Sequence, residues 1–422
     1  MIFTLYLLLC CWILFKWNVK DLSFPIIGSL FLLRLIVGCL NGYLNLYYFK
    51  VSDSKAFQEQ GLVEYQLLKT HPKEYFVNIF RDTHHNSYGG FNAISNSYWN
   101  DLKNNIMVKI VSILDIFSQG GYYTNILLYN FFTFLASILL FKYFIKKFPA
   151  SKKAIIFSVF LLPTAIFYSS ALHKEGLLFN CLIVIFYGVD KLFNNSRRWW
   201  LIVISISVAL LFTLLLRNYV FLILLGSLFC YLIARYTRLK TWGVFVIGYS
   251  IFIILFFTSA TITFGKIDLP QLMVERQSKF VELSLTANTS IHTVLLQPTF
   301  LSYAKNLPVA INHAFFRPYL FEGYSIFIKL LSLENLFCLV VIILFLFKRK
   351  KEIDKPFFLL LLFFSLTMML IIGYTVPVIA TIIRYKSIYL PFLITPIICS
   401  TNWEYYKSLM SRWYLAFTNR KV

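Results

Sequence analysis

Two long apolar runs lie back to back in the segment WWLIVISISVALLFTLLLRNYVFLILLGSLFCYLIAR, residues 199–235. Arg217 and Asn218 separate them, and each run has about the length that an α-helix needs to cross the hydrocarbon core of a bilayer. The segment therefore predicts two membrane-spanning helices joined by a tight turn at Arg217.

The composition of the whole chain supports the same interpretation. Of its 422 residues, 59% are hydrophobic and 14% are charged, and the mean hydropathy is +0.71. Soluble domains are closer to half apolar and a quarter charged. The sequence predicts an all-α, polytopic membrane helical bundle, forming a single membrane domain over residues 1–422. About eleven spans are expected, at residues 2–16, 23–48, 122–145, 153–170, 176–193, 199–216, 218–235, 242–264, 331–348, 356–378 and 385–401.

The formal net charge of +22 raises the question of nucleic-acid binding. The basic residues, however, concentrate in short loops between apolar runs, such as Lys146-Lys147, Arg197-Arg198 and residues 348–351. Short loops rich in Lys and Arg face the cytoplasm. We therefore expect membrane lipids and no nucleic acid as partners, with the N-terminus outside and the C-terminus in the cytoplasm.

Two long loops fall on the outer side in this topology, at residues 49–121 and 265–330. In the first loop, apolar residues recur at helical spacing from Leu102 to Phe117. This pattern predicts an amphipathic helix that lies in the membrane interface or packs beneath the loop.

Ionisable residues at membrane depth are costly and often functional. Arg34 falls in the middle of the second predicted span, so its side chain is expected to face the interior of the bundle or a water-filled cavity. Asp53 follows the same span. At the lip of an apolar cavity its pKa would rise and it could act as a general base; the alternative is a solvated acid that caps a helix.

His173, Lys174 and Glu175 are three adjacent ionisable residues in a predicted tight outer turn. This combination suits a phosphate or diphosphate ligand, with Lys174 as a point charge, His173 as a donor and Glu175 orienting the lysine. Arg217, Arg384 and Lys386 are cations at the same predicted depth and could complete an anion site for a lipid phosphate. The alternative for each is anchoring of a helix end at the headgroups.

Metal binding is a weaker hypothesis. His71, Asp82, His84 and His85 could hold a divalent cation, but their spacing matches no standard motif. We therefore assign no metal site and leave the cofactor open. Six further ionisable residues of the outer loops are weaker candidates and are interpreted as solvated, namely Asp101, Glu275, Arg276, Glu282, His313 and Arg317.

Four short motifs resemble those of bacterial membrane proteins of the GT-C glycosyltransferase superfamily. They are DSKAF at 53–57, YWNDLK at 98–103, LPTAIFYSSALHKEGL at 162–177 and IRYK at 383–386. The resemblance implies a GT-C-like fold in the bacterial inner membrane. Asp53 here follows the second span, whereas the acid of the superfamily usually follows the first, and no paired-acid signature is present.

The resemblance also implies an activity, which is transfer of a sugar from a polyprenyl-phosphate-linked donor to a glycan or lipid acceptor on the extracytoplasmic face. Asp53 would then be the base, and Lys174, Arg217 and Arg384 would hold the phosphate of the donor. Two alternatives remain open. One is a polymerase or ligase of lipid-linked oligosaccharides, of the O-antigen or capsule type, and the other is a flippase or transporter of a lipid-linked anion.

Overall fold

The structure is a computed structural model that describes residues 2–17, 19, 21–49, 52–78, 98–193, 198–322, 325–350 and 354–418. It is 84% helical, and the described residues form no β-strand. Their extended pairing is limited to two isolated bridges, Ser290 with Val378 and Arg349 with Thr401. The predicted all-α class is therefore confirmed.

The helices are numbered α1 to α19 in chain order. The first nine are α1 (Ile2–Lys16), α2 (Phe24–Tyr43), α3 (Asp53–Thr70), α4 (Pro72–Val77), α5 (Tyr98–Ser118), α6 (Tyr122–Lys147), α7 (Lys152–Phe160), α8 (Pro163–Ser169) and α9 (Lys174–Phe193). The others are α10 (Trp199–Leu216), α11 (Asn218–Tyr236), α12 (Thr241–Phe257), α13 (Ser259–Ile262), α14 (Leu269–Ser284), α15 (Phe300–Ile311), α16 (Ile326–Phe347), α17 (Lys355–Thr375), α18 (Ile379–Ser400) and α19 (Trp403–Thr418).

Eight helices of the described chain are long and apolar enough to cross a membrane. They are α2 with its π-helical extension to Tyr48, α6, α9, α10, α11, α16, α17 and α18. The pair α7 and α8 would be a ninth span, bent by 49°. The apolar helices α1 and α12 are shorter, with 15 and 17 residues. Each predicted span thus coincides with an apolar helix or with the bent pair, and the chain has the architecture of a multi-pass membrane protein.

The bend between α7 and α8 has a visible cause. Leu161 and Leu162 leave the helical conformation before Pro163, which begins α8. The freed backbone N–H of Thr164 donates to Glu334 Oε2 at 2.9 Å, and the Thr164 hydroxyl donates to Glu334 Oε1 at 2.8 Å. A buried carboxylate on α16 therefore caps the second half of the broken span.

Ion pairs connect helix ends that the predicted topology places on one side. Lys147, at the end of α6, lies 3.1 Å from Asp190 in the last turn of α9 and 2.8 Å from Asp354 at the start of α17. A second group of ion pairs, described below, joins Glu175 at the opposite end of α9 to other helices. These contacts place the ends of α6 and α9 and the start of α17 at one end of the bundle, and the start of α9 at the other end.

Helix α18 lies at the centre of the bundle. Over its most apolar stretch 89% of the residues are buried, against 17% for the peripheral α10. Because α18 is surrounded by other helices, its polar residues face protein rather than lipid.

Close contacts between helices depend on small residues. A Cβ at Gly373 of α17 would collide with the carbonyl oxygen of Ala310 in α15.

Candidate functional site

Four charged side chains from different parts of the chain meet at one end of the bundle. Arg384 Nη2 lies 2.7 Å from Asp53 Oδ2 and 3.0 Å from Glu175 Oε2. Arg217 Nη2 lies 2.9 Å from Glu175 Oε1. We call these four residues the arginine cluster. Glu175 is central to it, because each of its two carboxylate oxygens accepts from a different arginine.

The local backbone places three members of the cluster at helix ends, and Arg384 lies in the second turn of α18. Asp53 begins α3, where Ser52 caps the helix by accepting from Lys55 N at 3.3 Å. Glu175 is the second residue of α9, where an acid is favoured by the helix dipole. Arg217 is the single extended residue between α10 and α11, with φ −152° and ψ 91°.

Aromatic rings hold the arginines in place. Arg217 lies 4.0 Å from the ring centre of Tyr385 and donates to the Tyr219 hydroxyl at 2.8 Å. Arg276, from α14, donates to the same hydroxyl at 3.0 Å and lies 4.0 Å from the centre of the Tyr219 ring. The second long loop therefore contacts the arginine cluster through Tyr219. The interpretation of Arg276 as a solvated loop residue is wrong.

Two lysines approach the cluster from the side of α3 and α5. Lys174 donates to the side-chain oxygen of Asn104 and lies 5.1 Å from the ring centre of Phe57. Burial and the neighbouring cations Lys174, Arg217 and Arg276 lower the pKa of Lys103 to about 7. When Lys103 is protonated, the site has an excess of positive charge. The two lysines, Arg276 and the two arginines of the cluster face only two carboxylates.

The environment of Asp53 differs from the one expected for a general base. Burial acts to raise the pKa of Asp53, but the adjacent Arg384 guanidinium outweighs it and holds the pKa below its ordinary value. Burial and the charge of Arg384 lower the pKa of His173 to about 4, so this side chain is neutral at pH 7. The expectation of a raised pKa at Asp53 is therefore wrong for the protein without ligand.

Lys386 does not join the cluster. Its ammonium group donates to the carbonyl oxygen of Arg317 at 3.1 Å and to Asn335 Oδ1 at 2.9 Å. Residues two apart on a helix point to nearly opposite sides, so Arg384 and Lys386 cannot face one site. The assignment of Lys386 to the same phosphate site therefore has to be corrected: its side chain lies outside that site.

Arg34 faces the interior of the bundle, as predicted, and its partners are neutral. The guanidinium donates to Asn130 Oδ1 at 3.2 Å, to the Ser137 hydroxyl at 3.3 Å, and to the carbonyl oxygen and hydroxyl of Ser169 at 3.0 and 2.9 Å. These bonds connect α2 to α6 and to the end of α8. Arg34 therefore has a structural environment that is complete without a ligand.

The predicted amphipathic helix of the first loop is α5. Ile106 and Leu114 of its predicted apolar face are buried, as are Met107 and Val111, because α5 packs against α3 and α6. Phe117 is 53% exposed at the end of the helix. The helix thus packs beneath the loop and leaves an apolar tip uncovered.

The four candidate metal ligands belong to the first long loop of the sequence. Among the residues that the structure describes, no group of three or more His, Cys, Asp or Glu side chains is arranged to hold a metal ion. His71 lies between α3 and α4. Asp82, His84 and His85 lie outside the described residues.

Sequence reasoning predicted the cluster itself but missed Lys103, Tyr219 and Glu334. Glu334 had a usable signal, because it is an acid inside a predicted span, 331–348. Comparison with known proteins adds no further assignment: no protein family, no curated protein and no solved structure matches this chain.

Proposed function

We propose that the protein is a membrane glycosyltransferase that uses a polyprenyl-phosphate-linked sugar, and that the arginine cluster binds the phosphate of this donor. The observation that supports the proposal most directly is the convergence of Arg217 and Arg384 on Glu175, with Asp53 beside them. A guanidinium group presents several N–H donors in a plane and suits the oxygens of a phosphate.

The charge balance favours an anionic ligand. Within the arginine cluster, the charges of the two arginines are balanced by those of the two carboxylates. Lys103, Lys174 and Arg276 add three cations to it. A phosphate or diphosphate bound among them would compensate the excess charge. The same cations would stabilise the negative charge that develops on the phosphate when it leaves the sugar.

In the proposed reaction, the acceptor hydroxyl oxygen forms a bond to the anomeric carbon of the sugar, and the bond from that carbon to the phosphate oxygen breaks. The electron pair of the broken bond leaves with the phosphate. Asp53 takes the proton of the acceptor hydroxyl. Asp53 suits this role by position, because half of its side chain is exposed whereas that of Glu175 is 2% exposed.

The proposed setting is a bacterial inner membrane crossed eleven times, with the arginine cluster on the extracytoplasmic face. The basic clusters at the opposite end of the bundle support this orientation, since Lys146 and Lys147 lie there beside Asp190. A polyprenyl phosphate in the outer leaflet would then approach the cluster from the bilayer, and the acceptor would be a glycan or a lipid.

A polymerase or ligase of lipid-linked oligosaccharides would use the same kind of site, and the length of the product distinguishes it from a transferase that adds one sugar. A flippase would need charged residues at membrane depth, and the candidates for that role are Arg34, Glu334 and Lys386. Each of these has fixed partners at a helix break or crossing, and this supports structural roles for them.

The test measures transfer of radiolabelled hexose from a panel of polyprenyl-phosphate hexoses in membranes that contain the full-length protein. We expect Asp53→Asn and Arg384→Gln to lower the rate by about a hundredfold or more. Arg238→Gln, at an exposed position beyond the opposite end of α11, is the matched control and should keep the rate. Transfer by Asp53→Asn at the wild-type rate and equal expression would remove Asp53 from the role of base.

A further inference from the structure

One nitrogen of Arg384 serves two carboxylates. Nη2 contacts both Asp53 Oδ2 at 2.7 Å and Glu175 Oε2 at 3.0 Å. The buried Nε of Arg384 has no hydrogen-bond partner among the described residues. The guanidinium therefore has donor capacity that these two carboxylates leave unused.

The two carboxylates are held very differently. Glu175 is almost fully buried, and its other oxygen accepts from Arg217 at 2.9 Å. Asp53 has half of its side chain exposed, and Arg384 is its one ion-pair partner among the described residues. The Asp53 contact is the more exposed of the two, so it is the one that a ligand can replace at the lower cost.

We propose that the donor's phosphate binds to Arg384 in the place that the Asp53 carboxylate occupies, while Glu175 keeps both arginines aimed at it. The inference rests on the proposed function, since it specifies how that same site takes its donor. It makes Glu175 a positioning residue, and it makes binding of the phosphate and the contact between Asp53 and Arg384 mutually exclusive.

A phosphate can make this replacement because it offers more acceptor atoms than a carboxylate. One oxygen would accept from Nη2, and a second could reach a donor of the guanidinium that is now unused. Lys174 lies against α3, the helix that Asp53 begins, because its ammonium group is 5.1 Å from the ring centre of Phe57. The incoming anion would thus meet cations that Asp53 alone cannot neutralise.

The displacement would also prepare the base. With Arg384 engaged by phosphate, the guanidinium no longer offsets the burial that acts to raise the pKa of Asp53. The released carboxylate then lies beside the bound donor and is better able to accept a proton. Asp53 would become a competent base only when the donor is present, which protects the site from unproductive chemistry.

The test measures binding of geranylgeranyl phosphate to the full-length protein in lipid nanodiscs. If Asp53 competes with phosphate for Arg384, Asp53→Asn should bind about tenfold more tightly than wild type, although its transfer rate is lower. Asp53→Ala serves as a second variant with the same expectation. Glu59→Gln removes an exposed acid from the same helix and should leave the affinity unchanged, which excludes a general effect of charge.

Glu175→Gln should weaken binding about tenfold, and Glu175→Asp should restore part of the loss, because it keeps the charge between the two arginines. Equal or weaker binding by both Asp53 variants would overturn the displacement and leave the proposed function standing. Binding by wild type that Arg384→Gln does not weaken would overturn the phosphate site itself, and with it the proposed function.

Discussion

The guanidinium group of Arg217 lies 4.0 Å from the centre of the Tyr385 ring, and Tyr385 directly follows Arg384 in α18. This contact couples the two arginines of the cluster through the backbone of one helix as well as through Glu175. A cation over an aromatic face is held in place without losing its charge. The ring thus helps to set the direction in which Arg217 presents its donors.

Replacing the ring should weaken the anion site. We expect Tyr385→Leu to reduce the affinity for geranylgeranyl phosphate by about threefold to tenfold, because a cation–π contact contributes roughly 1 kcal/mol. Tyr385→Phe keeps the aromatic face and should bind as the wild type does. Equal affinities of the Leu and Phe variants, measured in nanodiscs, would show that the ring does not orient Arg217.

The fold could be predicted from the sequence because the length of an apolar run is a local property. The predicted segment 199–216 coincides with α10. The predicted segment 385–401 starts six residues late, since α18 begins at Ile379. Arg384 and Lys386 lie in the first turns of that helix and lower its apparent hydropathy, and only contacts with other helices show that they are buried.

The site could be predicted in part, for a related physical reason. Glu175, Arg217 and Arg384 were identified because charged residues next to apolar runs are conspicuous. Lys103 lies in a polar loop, where a lysine is unremarkable until the packing of α5 brings it beside other cations. Lys386 is excluded by helical geometry only because α18 begins at Ile379 and so includes Arg384, two residues before it.

The protonation of Lys103 should make the affinity for an anionic ligand depend on pH. Its pKa of about 7 reflects burial and the cations Lys174, Arg217 and Arg276, so Lys103 is charged below pH 7 and neutral above it. Compared with a variant that keeps its charge at position 103, the wild type should therefore lose affinity for geranylgeranyl phosphate as pH rises from about 6 to 8, by roughly threefold to tenfold from the loss of one positive charge.

Lys103→Arg provides the control for this prediction, because arginine keeps its charge over the whole range. The variant should lose the part of the decrease that comes from Lys103, and the dependence that remains belongs to the phosphate itself and to the other titratable groups of the site, such as Lys174. His173 contributes none, since its pKa of about 4 keeps it neutral throughout. Identical pH profiles for wild type and Lys103→Arg would contradict the assignment of the titration to Lys103.

Glu334 is expected to contribute to stability through the cap of α8. Glu334→Ala leaves the Thr164 N–H and hydroxyl without acceptors in a buried setting, which should lower the free energy of unfolding by about 2–4 kcal/mol. Glu334→Gln keeps one acceptor oxygen and should lose less. Unfolding in detergent micelles measures both effects.

A double-mutant cycle makes this prediction specific to the cap. Thr164→Val removes the hydroxyl, so its effect should be smaller in the Glu334→Ala background than in the wild type. Additive effects of the two substitutions would mean that the bond between the Thr164 hydroxyl and Glu334 does not stabilise the broken span. Glu334→Gln should retain anion binding, because the residue lies outside the arginine cluster.

The orientation of the bundle can be tested with single cysteines at exposed positions near its two ends. Lys266 follows α13, on the side predicted to face outward, and Arg238 lies in the turn after α11, on the opposite side. Lys266→Cys should react with a membrane-impermeant thiol reagent in intact cells, whereas Arg238→Cys should react only after the cells are opened. The native cysteines give little background because five of the seven are buried and none is exposed. Labelling of Arg238→Cys but not of Lys266→Cys in intact cells would put the arginine cluster on the cytoplasmic side. The orientation inferred from the basic loops of this chain would then be wrong.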